Sequence, residues 1–133
     1  MRPHDLKVVD LMTTALLTIK ASESVTEAHS EMELGLIRHL PVVDDRGKLV
    51  GVLSDRDLIA ASKRHRRVAD LMSKDVITIR PEAPAYEAAA LMLDHRISSV
   101  PVVDGHGVLV GLVTQTDFLD LARRALLGLH LER

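Results

Sequence analysis

The 133-residue sequence contains no cysteine and no tryptophan, and it has only one tyrosine and one phenylalanine. Without cysteine the chain can form neither disulfides nor thiolate nucleophiles nor zinc-thiolate sites. With so few aromatic rings it offers almost no surface on which nucleic-acid bases could stack, and its formal net charge of -2 gives no general attraction for phosphate backbones. Nucleic acid is therefore not an expected partner.

Long hydrophobic runs are also missing. No apolar run approaches the ~20 residues that span a bilayer, and the first residues, Met1 to Asp5, lack the apolar stretch of a signal peptide. We therefore expect a cytoplasmic protein with no membrane partner. The content of hydrophobic residues, 47%, is nevertheless sufficient for a core.

The most informative feature that is present is an internal duplication. Residues 8–59 align without a gap onto residues 68–119 at an offset of 60, with 19 of 52 positions identical. A copy of this size buries too little surface to be stable alone, so we expect the two copies to share a core. The chain is accordingly divided into repeat 1 (1–62), a basic linker (63–67), repeat 2 (68–124) and a tail (125–133).

Each copy has the pattern of a strand, a helix, a two-stranded hairpin and a final helix. The hairpin strands are almost continuously apolar, which indicates burial on both faces, and the final helices are expected to begin near Asp55 and Gln115. The predicted fold class is α/β, with mixed α+β sheets. An apolar stripe predicts the first helix of each copy. In copy one the stripe is Val25, Ala28, Met32 and Leu36. In copy two Pro84 is predicted as the first helical residue, and the stripe is Ala85, Ala88, Met92 and His95.

A polar motif follows the last predicted strand of each copy. Ser54 and Asp57 recur as Thr114 and Asp117, a hydroxyl and a carboxylate three residues apart at a strand-to-helix junction. Such a pair shares one helix face and suits the phosphate and ribose of a nucleotide. The same pattern is also an ordinary helix cap, in which both groups bind the backbone of their own helix. The residues alone leave both interpretations open.

Together these motifs resemble a tandem pair of CBS domains, a family named after cystathionine β-synthase. The Asp-Leu-Met opening, the Pro-Val-Val-Asp strand and the Gly-x-x-(Ser/Thr)-x-x-Asp ending match that family in order and spacing in both copies. The resemblance implies two β-α-β-β-α repeats packed with pseudo-twofold symmetry. It also implies a regulatory module without catalytic or metal residues, which requires no cofactor and binds AMP, ADP or ATP, with S-adenosylmethionine and NAD as further options.

The resemblance implies two clefts, each lined by both copies, in which apolar side chains flank the adenine and Asp holds the ribose. Arg56 would lie near the phosphate of the first cleft and Arg38 near that of the second. The second cleft is slightly favoured, because His39 would add a donor there. The first cleft comprises Ser54, Arg56, Asp57, Val76, Ile77, Ile97, Ser98 and Ser99, and the second comprises Leu16, Leu17, Ile37, Arg38, His39, Thr114 and Asp117.

The resemblance further implies a homodimer and an effector protein, not identifiable from the sequence, that receives the signal. The alternative function is a ligand-free dimerisation or interaction scaffold with vestigial clefts, in which Ser54 and Thr114 only cap helices. The basic run from Lys63 to Arg67 is interpreted as a solvated surface segment at the end of a helix, with contact to an anion such as nucleic acid as the alternative.

Overall fold

The structure, a computed structural model, describes residues 2–61 and 66–128. It has the predicted mixture of helices and small sheets. Residues 63–65 of the basic linker and 129–133 of the tail lie outside the described residues. In chain order the elements are a 3-10 turn (Pro3–Asp5), α1 (Val8–Leu11), β1 (Ile19–Lys20), α2 (Val25–Gly35), β2 (His39–Val43), β3 (Leu49–Ser54), α3 (Asp55–Ile59), α4 (Val68–Leu71), α5 (Ala85–His95), β4 (Ser99–Val103), β5 (Leu109–Thr114) and α6 (Gln115–Leu126).

The chain forms two compact units, and neither coincides with a sequence copy. Unit 1 joins the opening segment, up to Leu16, to most of the second copy from Ile77 onward. Unit 2 contains Leu17–Val76, and therefore includes the opening segment of the second copy, together with Gly107–Leu109. The first helical turn of each copy therefore lies in the unit that contains most of the other copy.

Unit 2 is built on a three-stranded sheet in the order β1-β2-β3. The strand β1 runs parallel to β2, and β2 runs antiparallel to β3, with Leu40 opposite Leu53. Ser24 is the N-cap of α2, and its hydroxyl accepts a hydrogen bond from the backbone N–H of Glu27. The buried core consists of Ile19, Ala28, Met32, Leu40, Val42, Leu53 and, from the second copy, Val68.

Unit 1 repeats this arrangement around the pair β4-β5, which Ile79 extends through a parallel bridge to Val102. Its core consists of Val8, Ile79, Ala88, Met92, Val100, Val102 and Val113. Val8 belongs to the first copy, so this core also takes a residue from the other repeat.

The Asp of the Asp-Leu-Met motif explains why the opening segments form helical turns. The carboxylate of Asp10 accepts the backbone N–H of Lys7 at 2.8 Å, and that of Asp70 accepts the N–H of Arg67 at 3.1 Å. Both carboxylates therefore satisfy a donor at the start of α1 or α4 that has no partner inside the helix.

The two hairpins and the starts of the final helices, Asp55 and Gln115, are confirmed, whereas the helix stripes were predicted one turn too long. Leu36 is not part of the buried face: it follows α2 in a left-handed conformation, φ 52°, and is 92% exposed. The left-handed residue breaks the helical periodicity, and Ile37 packs against the core instead. His95 is likewise exposed at the end of α5, and Pro84 precedes that helix as its N-cap rather than beginning it.

Glycines in β3 and β5 allow the opening segments to approach the sheets. A Cβ on Gly51 would lie 2.7 Å from the sulfur of Met72 and 2.9 Å from the carbonyl oxygen of Ser73. A Cβ on Gly111 would lie 2.6 Å from the sulfur of Met12. These distances are shorter than a Cβ atom tolerates, which explains why glycine occupies both strand positions.

We predict that Gly51→Ala lowers the free energy of unfolding by about 1 to 3 kcal/mol, because the added methyl overpacks a site bounded by backbone. The control is Gly105→Ala, whose Cβ would meet only the end of the flexible Arg80 side chain, at 3.1 Å. Urea unfolding monitored by circular dichroism measures both variants. An equal loss of stability in the two would contradict the close packing of β3.

Candidate functional site

The predicted hydroxyl and carboxylate pairs form capping boxes at the starts of α3 and α6. The N–H of Ser54 donates to Asp57 Oδ2 at 2.7 Å, and the N–H of Asp57 donates back to Ser54 Oγ at 3.1 Å. In α6 the N–H of Thr114 donates to Asp117 Oδ2 at 2.8 Å, and the N–H of Asp117 donates to Thr114 Oγ1 at 3.3 Å. The cap interpretation of the motif therefore describes the structure in both copies.

Capping leaves part of each carboxylate available, because an ionised carboxylate has about four acceptor positions. Asp57 uses one of them, for Ser54, among the described residues. Asp117 accepts three hydrogen bonds, from the N–H and the hydroxyl of Thr114 and from the hydroxyl of Thr13. Both aspartates are half-buried, so their remaining positions can reach a bound molecule.

Backbone pairing in unit 2 brings predicted site residues to the start of α3. His39 lies opposite Ser54 in the β2-β3 ladder, and the N–H of Asp55 donates to the carbonyl oxygen of Arg38 at 2.9 Å. The guanidinium groups of Arg38 and Arg56 are exposed and form no ion pair or hydrogen bond within the described part of the chain. They are therefore available to an anion.

The corresponding place in unit 1 has hydroxyls where unit 2 has cations. The N–H of Gln115 donates to the carbonyl oxygen of Ser98 at 3.0 Å, and the side chains of Ser98 and Ser99 are half-buried. Ile97 packs against the core of unit 1 beside them. The starts of α3 and α6 thus share their capping geometry and differ in local charge.

The predicted site residues are divided between the two units. Each predicted cleft takes members from both units, so the composition of the clefts stays a prediction. Unit 2 holds Leu17, Ile37, Arg38, His39, Ser54, Arg56, Asp57 and Val76, and unit 1 holds Leu16, Ile77, Ile97, Ser98, Ser99, Thr114 and Asp117.

Thr13 contacts the site and was not predicted from the sequence. Its Oγ1 donates to Asp117 Oδ1 at 3.3 Å across 104 residues of chain. The available signal was that both copies have a hydroxyl residue, Thr13 or Ser73, directly after Asp-Leu-Met. Nothing local to that segment indicates which carboxylate it meets, since the contact depends on the exchange of opening segments.

The described ranges, 2–61 and 66–128, contain no cluster of three or more His, Asp or Glu side chains that could hold a metal ion. Over the same ranges no helix combines the length and hydrophobicity needed to cross a bilayer.

The family model of the CBS domain matches this chain twice, over residues 8–64 and 68–124. The chain belongs to the CBS-domain family. A CBS domain-containing protein of Dictyostelium discoideum is 34% identical to it in an alignment 134 positions long, which includes 90% of this chain and 92% of the relative. The inosine-5'-monophosphate dehydrogenase of Methanocaldococcus jannaschii is 34% identical over 113 residues, but this chain spans only 23% of that enzyme's length.

Solved CBS structures confirm the fold. CBSX2, a CBS-pair protein of Arabidopsis thaliana crystallised with AMP, has a TM-score of 0.85 at 34% identity, covering 90% of this chain and 97% of that one. The CBS domain pair of protein MJ0100, crystallised with 5'-methylthioadenosine and S-adenosylmethionine, has a TM-score of 0.82 at 32% identity, covering 90% and 98%. The cytosolic domain of the Mg²⁺ channel MgtE, in complex with ATP, has a TM-score of 0.75 at 38% identity, covering 84% of this chain and 46% of that one.

The cap on α6 gives a test that needs no ligand. We predict that Thr114→Ala lowers the free energy of unfolding by about 1 kcal/mol, because the N–H of Asp117 loses its acceptor. The matched control is Thr116→Ala, an exposed threonine of the same helix with no side-chain hydrogen bond in the described structure. Chemical unfolding compares the two. If both variants lose the same stability, Thr114 does not act as a cap.

Proposed function

We propose that this protein is a regulatory CBS pair that binds an adenosine nucleotide of the AMP, ADP or ATP type and is not itself an enzyme. The observation that carries the proposal is the half-buried carboxylate in each copy that caps its helix and retains free acceptor positions. Three related CBS structures contain adenosine compounds, which supports the same ligand class here. Enzyme relatives match over only a fraction of their length, so their catalysis is not transferred.

The proposed roles follow from the chemistry of each side chain. Asp57 and Asp117 accept hydrogen bonds from ribose hydroxyls, and Arg56 and Arg38 bind phosphate oxygens, for which a guanidinium is suited. The hydroxyls of Ser54, Thr114, Ser98 and Ser99 and the imidazole of His39 supply further polar contacts. The apolar side chains proposed to flank the adenine are Val76, Ile77 and Ile97 in one site and Leu16, Leu17 and Ile37 in the other.

A ligand regulates only if it binds two states of the protein with different affinity. We propose that nucleotide binding favours one conformation or assembly and that an effector protein in the cytoplasm responds to that state. S-adenosylmethionine and NAD share the adenosine part and remain candidates for the same sites.

The capping boxes also favour a second candidate function. Because Ser54, Asp57, Thr114 and Asp117 already stabilise their helices, the motif would persist in a scaffold that binds no ligand. This alternative predicts no response to nucleotides.

Thermal unfolding with AMP, ADP, ATP, S-adenosylmethionine and NAD distinguishes the two. At about 100 times its Kd a ligand adds ~2.7 kcal/mol, which raises the Tm of a domain of this size by several degrees. The decisive variant is the double substitution Asp57→Asn and Asp117→Asn, because asparagine keeps a carbonyl oxygen for the cap while removing the charge and one acceptor oxygen. We expect the ligand-induced shift to be lost in this variant.

The control for that experiment is Asp75→Asn, which removes a charge from an exposed residue with no hydrogen bond in the described structure. It should respond to nucleotide as the wild type does. No shift with any of the five compounds, or a shift that survives the double substitution, would contradict the proposal.

We further propose that the protein is a homodimer. Ile59 and Leu119 occupy equivalent positions on α3 and α6 and are 84% and 72% exposed, an exposure that a second chain would relieve. In unit 2 Ile59 also lines an apolar groove of about 350 Å³ between α2 and α3. Repetition of the exposed residue in both copies supports an interface formed by these helices.

We predict a sedimentation mass of twice the 14.6 kDa of one chain. The double variant Ile59→Lys, Leu119→Lys should shift the mass toward the monomer, because burying two ammonium groups is unfavourable. The matched control is Thr18→Lys, Thr78→Lys, which changes equivalent exposed residues outside the helices and should leave the mass unchanged. A wild-type mass of one chain would contradict the dimer.

A further inference from the structure

The two capping aspartates occupy equivalent positions but differ in their hydrogen bonding. Asp117 Oδ1 accepts the hydroxyl of Thr13 at 3.3 Å, and Asp117 Oδ2 accepts both the N–H of Thr114 at 2.8 Å and its hydroxyl at 3.2 Å. Asp57 Oδ2 accepts the N–H of Ser54, and no hydrogen bond to its Oδ1 is present within the described ranges. The sequence duplication therefore does not extend to the surroundings of the carboxylates.

The difference comes from the residue that follows the Asp-Leu-Met motif. Thr13 and Ser73 are equivalent, and both bridge to the last strand of a hairpin, Thr13 to Leu112 and Ser73 to Val52. The side chain of Thr13 reaches its aspartate, whereas the side chain of Ser73 forms no hydrogen bond in the portion of the chain that is described.

The two proposed sites therefore differ in how many acceptor positions the aspartate carboxylate can offer to a ligand. A ribose that presents two neighbouring hydroxyls to one carboxylate needs two free acceptor positions out of about four. Counting the described residues only, Asp57 has one position in use and can accept both hydroxyls. Asp117 has three in use over the same residues, so a ribose must displace a hydroxyl that the carboxylate already binds.

We propose that Thr13 sets the affinity of the nucleotide site at Asp117, because its hydroxyl competes with the ribose for the carboxylate, and that the site at Asp57 therefore fills first. This inference rests on the proposed function, in which the aspartates accept the ribose hydroxyls. It reverses the ranking that His39 suggested from the sequence, since a single added donor does not compensate for an occupied acceptor. Thr13 itself acts through Asp117 as a positioning residue.

Calorimetric titration with AMP tests the proposal one site at a time. In an Asp57→Asn background only the Asp117 site retains its carboxylate, and Thr13→Val should tighten AMP binding there by roughly two- to tenfold, the range expected for one net hydrogen bond. In an Asp117→Asn background the matched change, Ser73→Ala, should leave the affinity at Asp57 unchanged. The Asp57 site should also bind AMP more tightly than the Asp117 site.

A measurement without ligand tests the hydrogen bond between Thr13 and Asp117 separately from its effect on AMP binding. A double-mutant cycle of Thr13→Val with Asp117→Ala should show a coupling in the free energy of unfolding, and the cycle of Ser73→Ala with Asp57→Ala should show none. Coupling together with unchanged or weaker AMP binding in Thr13→Val would overturn the competition while leaving the proposed function intact. If the wild type binds neither AMP nor any other adenosine compound, the proposed function fails, and the competition with it.

Discussion

The burial of Val8 and Val68, each in a core built mainly from the other copy, is the contact on which the rest of the structure depends. Both side chains are completely inaccessible to solvent, and full burial of a valine contributes about 1.5 to 3 kcal/mol. The exchanged segments then carry Met12 and Met72 against the strand glycines Gly111 and Gly51. Neither copy can complete its unit without the other, which explains why a duplicated sequence of this length folds as a pair.

The same exchange of opening segments brings polar side chains of the two copies into contact. Because the opening segment of copy one lies in unit 1, Thr13 reaches Asp117, a residue of copy two. The capping boxes hold both aspartates at fixed positions at the starts of α3 and α6, so a ligand would meet acceptors that are already ordered. One set of side chains can thus stabilise helices and present acceptors, and the cap and ligand interpretations of the motif are compatible.

The repeating features of the sequence were sufficient to predict most of the fold. The hairpins and the helix starts at Asp55 and Gln115 follow from apolar runs and polar caps, which are local signals. Leu36 was misplaced because a left-handed residue after a helix leaves no mark in hydrophobic periodicity. The exchange of opening segments and the Thr13 contact are long-range properties that no local pattern encodes. The capping pairs were found from their spacing, but the unequal hydrogen bonding of the Asp57 and Asp117 carboxylates could be seen only in the atomic structure.

The most direct test of the dual role of these carboxylates is a crystal structure of the protein with AMP. We expect the ribose hydroxyls to lie ~2.5 to 3.0 Å from the carboxylate oxygens of Asp57, while the N–H of Ser54 still donates to the same group. AMP bound at a place remote from both Asp57 and Asp117, with their carboxylates bound only to their own helices, would contradict that role.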